Sequence, residues 1–310
     1  MLKEVPLRPV VARGVKAELT RALATLGDYA RLIRLDRPIG ALLLLWPTLW
    51  ALWLAASGHP NEHAFVVFTL GVVLMRSAGC AMNDFADRRF DRHVTRTAER
   101  PLAAGRVAPA EALLIFAILS MLAFALVLTL DRLTIELSLV GAGLTIVYPF
   151  LKRFFPLPQV WLGAAFSWSI PMAFAATSGQ IPRLGWLLFV AGLLWTVVYD
   201  TMYAMVDRED DQKLGIRSSA ILFGDADRIV ILALQVMVLA ALWLAGDQAG
   251  LGHWFRLALG VGAALFAWQQ WLIRERFPQA CFRAFLNNNW FGLVIFLGIA
   301  LDYLFGTLAR

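Results

Sequence analysis

Nine separate stretches of this chain are long and apolar enough to cross about 30 Å of hydrocarbon, which takes roughly 20 helical residues at 1.5 Å each. They are Pro38–Ala56, Ala64–Met82, Ala110–Leu130, Leu133–Phe150, Val160–Ala176, Leu184–Met205, Ile229–Ala245, Trp254–Ile273 and Trp290–Leu308. None alternates apolar and polar residues as a barrel strand must, so the spanning element expected is the helix. A soluble fold of 310 residues would need a polar surface, and a chain that is 60% hydrophobic and 16% charged has too little material for one; ordinary soluble chains are about 25% charged. The fold class expected is all-α, an integral membrane bundle of about nine transmembrane helices over residues 38–310. The first run follows a long basic stretch and has no small-residue cleavage site, so it reads as a retained span. Pro47, Pro149 and Pro171 fall inside spans, where kinks are expected.

The linkers are uneven, and two are long and charged: Asn83–Pro109 and Val206–Arg228. Threading nine spans places 23 of the 28 Lys and Arg residues on the side of the N-terminus and 4 on the other, with Arg76 inside the second span. That bias puts the N-terminus in the cytoplasm and the C-terminus outside. The net charge of +6 is thus a topology signal with membrane lipid as the partner, and nucleic acid is not needed to explain it. Residues 1–37 form a basic N-terminal segment whose apolar positions recur at helical spacing over 11–37, as in a helix lying on anionic lipid. The two cysteines, Cys80 and Cys281, are too far apart to suggest a zinc site or a disulfide framework.

Two acidic constellations stand at the cytoplasmic ends of spans. The first, NDFADRRFD, contains Asn83, Asp84, Asp87 and Asp91; spacings of three, four and seven put its three carboxylates on one helical face. Like charges so arranged repel, and a divalent cation removes that cost. Mg²⁺ is characteristically held by one or two carboxylates completed by substrate phosphate. The second, DTMYAMVDREDD, places Asp200, Asp207 and Asp211 on one face, with Asp210 beside them. Asp200 lies within the apolar span, where an ionisable group points to function. Two metal sites on different helices are placed to clamp one diphosphate, with Arg76, Lys152 and Arg34 as nearby cations. Arg100 and Arg106, in a Pro/Gly loop, read equally as phosphate contacts or as topology charges. Asn287, Asn288 and Asn289 read as helix caps before the last span, Glu136 and Asp302 as interfacial acids, and the twelve Trp residues as mostly lipid-facing or interfacial belt residues, with some left to line an apolar tunnel.

NDFADRRFD, RTAERPLAAGRV, VYPFLK, DTMYAMVDREDD and GIRSSAILFG, with IGALLLLWPTLWAL and ACFRAFLNNN at either end, together resemble the UbiA superfamily of membrane prenyltransferases, and within it the bacterial 4-hydroxybenzoate polyprenyltransferases of ubiquinone synthesis. The resemblance implies a nine-helix bundle with a cytoplasm-facing cavity in the bacterial inner membrane. It implies Mg²⁺-dependent transfer of a polyprenyl group from its diphosphate to the ring carbon ortho to the hydroxyl of 4-hydroxybenzoate. It matches Asn83, Asp84, Asp87 and Asp91 to the first family motif, Asp200, Asp207 and Asp211 to the second, and Tyr148 with Lys152 to a Tyr-x-x-x-Lys pair. Asp84, Asp87, Asp91, Asp207 and Asp211 are then the expected metal ligands. Asp200 is expected to orient or deprotonate the acceptor. Lys152, Arg34 and Arg76 compete for the diphosphate or the acceptor carboxylate, and Asn83 is counted with the substrate-binding residues. The alternatives are another acceptor (homogentisate, a naphthoate or a haem) and, from another class, an ion-coupled transporter. Transport is disfavoured because the acids gather at one membrane face rather than at the midplane.

Overall fold

The computed structural model describes residues 20, 23–94, 97–151 and 153–306, and these are helical and looped with no strand among them. A short helix, α1 (23–32), precedes α2 (Ile39–Ala55), α3 (Glu62–Asp87), α4 (Pro109–Val127), α5 (Arg132–Leu151), α6 (Pro158–Ser167), α7 (Ser169–Ser178), α8 (Arg183–Leu214), α9 (Ser219–Phe223), α10 (Asp227–Gln248), α11 (His253–Leu272) and α12 (Pro278–Phe305). Seven rods among the described residues are long and apolar enough to cross a membrane, α6 with α7 and α9 with α10 each making one. Two more are close to that mark: α2 is apolar but only 17 residues long, and α11 carries His253, Arg256, Gln269 and Gln270. The chain is a multi-pass membrane protein, with approximately the number of rods expected. Most of segment 1–37 lies outside the described residues.

Where the rods differ from expectation, the cause is local. The span expected over Val160–Ala176 breaks at Trp168 into α6 and α7. Pro171 has no N–H for the Ser167 carbonyl four residues back, and its ring crowds that carbonyl. Pro47 and Pro149 remain inside α2 and α5. α3 and α8 run on past the apolar stretch, to Asp87 and Leu214, so most of each acidic motif is itself helix. α8 stops where Gly215 takes φ 68 and donates its N–H to Asp211 O and Gln212 O; a left-handed cap of this kind suits glycine.

The core lies among α2, α7, α8, α10, α11 and α12. Trp50 and Trp195 are completely buried in it, while Trp186, Trp243, Trp254, Trp268, Trp271 and Trp290 are exposed. Lipid offers indole N–H groups no water, so they must be satisfied by neighbouring helices. Trp50 Nε1 donates to Gly292 O at 3.0 Å, Trp161 Nε1 to Leu144 O at 2.8 Å and Trp168 Nε1 to Leu137 O at 2.8 Å. The three asparagines are not caps, because α12 begins at Pro278 and carries them in its interior. Successive helical residues point about 100° apart, so each meets a different helix. Asn287 accepts from Gln269 Nε2 (3.0 Å), Asn288 from Trp195 Nε1 (2.9 Å) and Asn289 from Trp46 Nε1 (2.9 Å). α12 is thereby tied to α11, α8 and α2. Asp302, expected at the interface, is buried and accepts from Gly252 N (2.9 Å) and Phe255 N (2.8 Å). It caps α11 from another helix, where a carboxylate complements the positive helix end.

Candidate active site

One cavity of about 610 Å³ receives both acidic constellations. Asn83, Asp84, Asp87 and Asp91 line it from α3 and the turn beyond; Asp200, Asp207 and Asp211 line it from α8. Arg34, Arg76, Arg100, Tyr148 and Arg217 are among the other polar residues that line it. The rest of the wall is mostly apolar and follows α3 from Asp87 to Val67, twenty residues or about 30 Å apart at 1.5 Å per residue. The outer wall is α4 and α5. α4 packs chiefly on α3, and α5 on α6 and α7, so the two walls touch each other little.

The second constellation is carried by one uninterrupted helix. At 100° per residue, Asp200, Asp207 and Asp211 fall within an arc of about 40°, and all three face the cavity. The first is built differently from the expected single helical face. α3 ends at Asp87, and Asp91 opens a separate 3₁₀ turn, Asp91–His93. Asp91 still lines the same cavity as Asp84 and Asp87, and Arg100 donates to its Oδ2 at 2.8 Å. The same guanidinium donates to Asp84 Oδ1 at 3.2 Å.

Asp84 is 1% exposed and is also gripped by Arg34, whose Nη2 donates to Oδ1 at 2.8 Å and Oδ2 at 2.9 Å. Arg34 sits just past the end of α1 at φ 60, a left-handed conformation unusual for a residue with a side chain. Its Nη1 donates to two carbonyls at the end of that helix, Arg31 O at 2.7 Å and Leu32 O at 3.2 Å. One residue therefore fastens α1 to the acidic site. Leu32 buries itself against Ala81, Leu102, Val107 and Ala112, and Arg106 Nε donates to Asp28 at 3.1 Å. α1 and the Pro/Gly loop are thus docked on the same side of the site.

Burial pushes the Asp91 carboxyl above the usual carboxylate range; Arg100 opposes this, and the charges of Asp87 and Asp84 add to it. Carboxylates that resist ionising together are a fitting seat for a divalent cation. Among the described residues no three His, Cys, Asp or Glu side chains converge closely enough to hold an ion by themselves. Hard oxygen donors at this spacing suit Mg²⁺ completed by phosphate oxygens. Deeper in, Arg76 donates to Cys80 Sγ. It lies against Gly40, where any Cβ would come within 2.3 Å of the guanidinium. Arg76, Tyr148 and Asp200 all lie within electrostatic reach of the buried Tyr199. Lys152 lies outside the described residues. Arg217 and Gln159 also line the cavity and were not singled out from sequence. Arg217 Nη1 donates to Phe154 O at 2.8 Å, and Gln159 Oε1 accepts from Ser219 N at 3.0 Å. Neither belongs to an acidic run that would have marked it.

Residues 44–296 match the UbiA prenyltransferase family. The chain belongs to that family. This UbiA-family chain is 60% identical over 281 residues to a 4-hydroxybenzoate octaprenyltransferase of Saccharophagus degradans, covering 91% of this chain and 94% of the relative. Among solved structures it resembles an apo UbiA homologue from Aeropyrum pernix, with TM-score 0.76, 26% identity, and coverage of 84% of this chain and 97% of that one. A UbiA homologue from Archaeoglobus fulgidus bound to GPP and Mg²⁺ shares the fold at TM-score 0.67 and 17% identity, over 88% of this chain and 99% of that one.

Proposed function

We propose that this protein transfers a polyprenyl group from its diphosphate to the ring carbon ortho to the hydroxyl of 4-hydroxybenzoate, with Mg²⁺, at the bacterial inner membrane. The observation that carries the reading is a single cavity with two acidic constellations and a mostly apolar wall that follows α3 for about 30 Å. That shape suits a ligand with a multiply charged head and a long hydrocarbon tail. The relative that is 60% identical bears the name of this activity, and the Archaeoglobus fulgidus homologue holds an allylic diphosphate with Mg²⁺. The 23-to-4 distribution of basic residues supports a cytoplasmic N-terminus and an external C-terminus.

Mg²⁺ bound here would neutralise the charge that develops on the departing diphosphate. Asp84, Asp87 and Asp91 on one side and Asp207 and Asp211 on the other would hold it, with Asn83 beside the first set. Arg34 and Arg100, spent on Asp84 and Asp91 in this structure, gain a second anion when a diphosphate arrives and turn toward it. As the allylic C–O bond breaks, the electron pair leaves with the diphosphate and the allylic carbon becomes electrophilic. The ring carbon ortho to the phenol attacks it, forming the C–C bond. The proton displaced from that carbon leaves to a base, for which Asp200 is the candidate, and Tyr148, which lines the same cavity, would help to orient the acceptor. Arg76 and Lys152 are the cations available for the acceptor carboxylate. Water would quench the electrophile, and the apolar wall of the cavity excludes it.

The test is an acceptor panel given to the purified protein in lipid with a polyprenyl diphosphate and Mg²⁺. The reading predicts diphosphate release and a prenylated product with 4-hydroxybenzoate. Product only with homogentisate or a naphthoate would keep the chemistry and overturn the acceptor.

A further inference from the structure

A second carboxylate paired to two arginines lies outside the cavity. Asp227 opens α10 and is completely buried. Arg276 Nε donates to its Oδ1 and Oδ2 at 3.2 and 3.1 Å, and Arg276 Nη2 to Oδ1 at 2.9 Å. Arg208 Nη2 donates to Oδ2, and the backbone N–H of Arg228 to Oδ1 at 2.6 Å. Arg276 also donates to Asp225 O at 2.9 Å. It holds φ 57, a left-handed backbone that costs a residue with a side chain of order 1 kcal/mol or more. Neither Asp227 nor either arginine lines the cavity.

Burying a carboxylate is expensive unless its partners compensate it, and here the partners are two half-buried arginines. The pairing concerns α8. Arg208 follows Asp207 directly, and its azimuth lies about 80° from that of Asp200. A helix tethered at that azimuth cannot roll about its axis, and a roll is the motion that would take Asp207 and Asp211 off the cavity. The tether's other end, Asp227, is itself held by Arg276 from the α11–α12 connection.

We propose that Asp227 is a positioning residue for the acidic turn of α8: through Arg208 it sets the roll of that helix, and so aims Asp207 and Asp211 at the metal. This rests on the prenyl-transfer reading. The consequence is that metal affinity, and not only heat stability, depends on a carboxylate that touches neither metal nor substrate. Removing the hydrogen-bond partners that orient ligands typically costs about 10–100-fold in metal affinity.

The test measures Mn²⁺ uptake by electron paramagnetic resonance. Purified protein in nanodiscs is saturated with a non-hydrolysable allylic thiolodiphosphate, and the unfolding midpoint is recorded alongside. Asp227→Asn and Arg208→Gln should each weaken Mn²⁺ binding about 10-fold or more, and Asp227→Glu, which keeps the charge, should recover much of it. Arg208→Gln leaves Asp227 neutralised by Arg276, so it serves if Asp227→Asn does not fold. Folded variants that bind Mn²⁺ as wild type does, whatever their unfolding midpoint, would overturn the inference alone. Wild-type protein that takes up no Mn²⁺ with the diphosphate analogue would overturn the prenyl-transfer reading and this inference with it.

Discussion

The two acidic constellations face one cavity but are held in opposite ways. Asp200, Asp207 and Asp211 ride on one continuous helix, and the arginine that steadies this helix is paired away from the cavity. Asp84, Asp87 and Asp91 straddle a helix end, and the arginines beside them grip the functional carboxylates themselves. One half is carried by a single helix whose acids line the cavity; the other is assembled from α1, α3 and the Pro/Gly loop, with Asp84 paired to Arg34 and Arg100. The difference implies a division of labour. The α8 half offers a fixed seat, and the α3 half adjusts when the diphosphate enters.

The largest effects should come from the acids themselves. Asp84→Ala and Asp207→Ala should each lower prenyl transfer about 10³-fold or more, equivalent to roughly 4 kcal/mol of lost transition-state stabilisation. If both halves hold one diphosphate, the double variant should be little slower than the worse single variant. Effects that multiply would mean that the halves act independently. Arg100→Gln comes next, with a loss of about 10²-fold. Its signature is a raised KM for the prenyl diphosphate together with a lower kcat, because Arg100 serves the adjustable half. A change in kcat alone would place it with the rigid half.

Smaller effects test the apolar end. Val67→Trp narrows the deep part of the cavity and should cost about 10-fold with long polyprenyl donors while sparing short ones. Equal rates with both would mean that the tail does not lie along α3. Asp302→Ala should be the mildest, removing the cap on α11 at about 1–2 kcal/mol in an unfolding measurement and leaving the site's selectivity alone.

The rigid half was far more legible in sequence than the adjustable one. Helical spacing alone places Asp200, Asp207 and Asp211 together, because nothing interrupts α8 before Gly215. The same rule did not foresee that α3 ends at Asp87 and that Asp91 reaches the cavity from a separate turn, where Arg100 pairs with it across a loop. The spans were legible because lipid requires apolar residues on nearly every face, and the break at Trp168 follows from the missing N–H of Pro171. What periodicity could not reveal were contacts distant in sequence: Asp227 with Arg208 and Arg276, Asp302 with the start of α11, and three adjacent asparagines each joined to a different helix. A buried polar residue announces that it needs a partner, but only the fold says which.

The central claim is that both constellations act together, with metal, on one prenyl diphosphate. The most direct measurement gives washed membranes containing the protein radiolabelled 4-hydroxybenzoate, a polyprenyl diphosphate and Mg²⁺, and counts label extracted into organic solvent. Asp84→Ala, Asp207→Ala and an EDTA-treated sample run beside the wild type. Label should enter the organic phase for the wild type with metal and be almost absent in the other three. Transfer that survives EDTA, or that survives loss of either aspartate in folded protein, would contradict it.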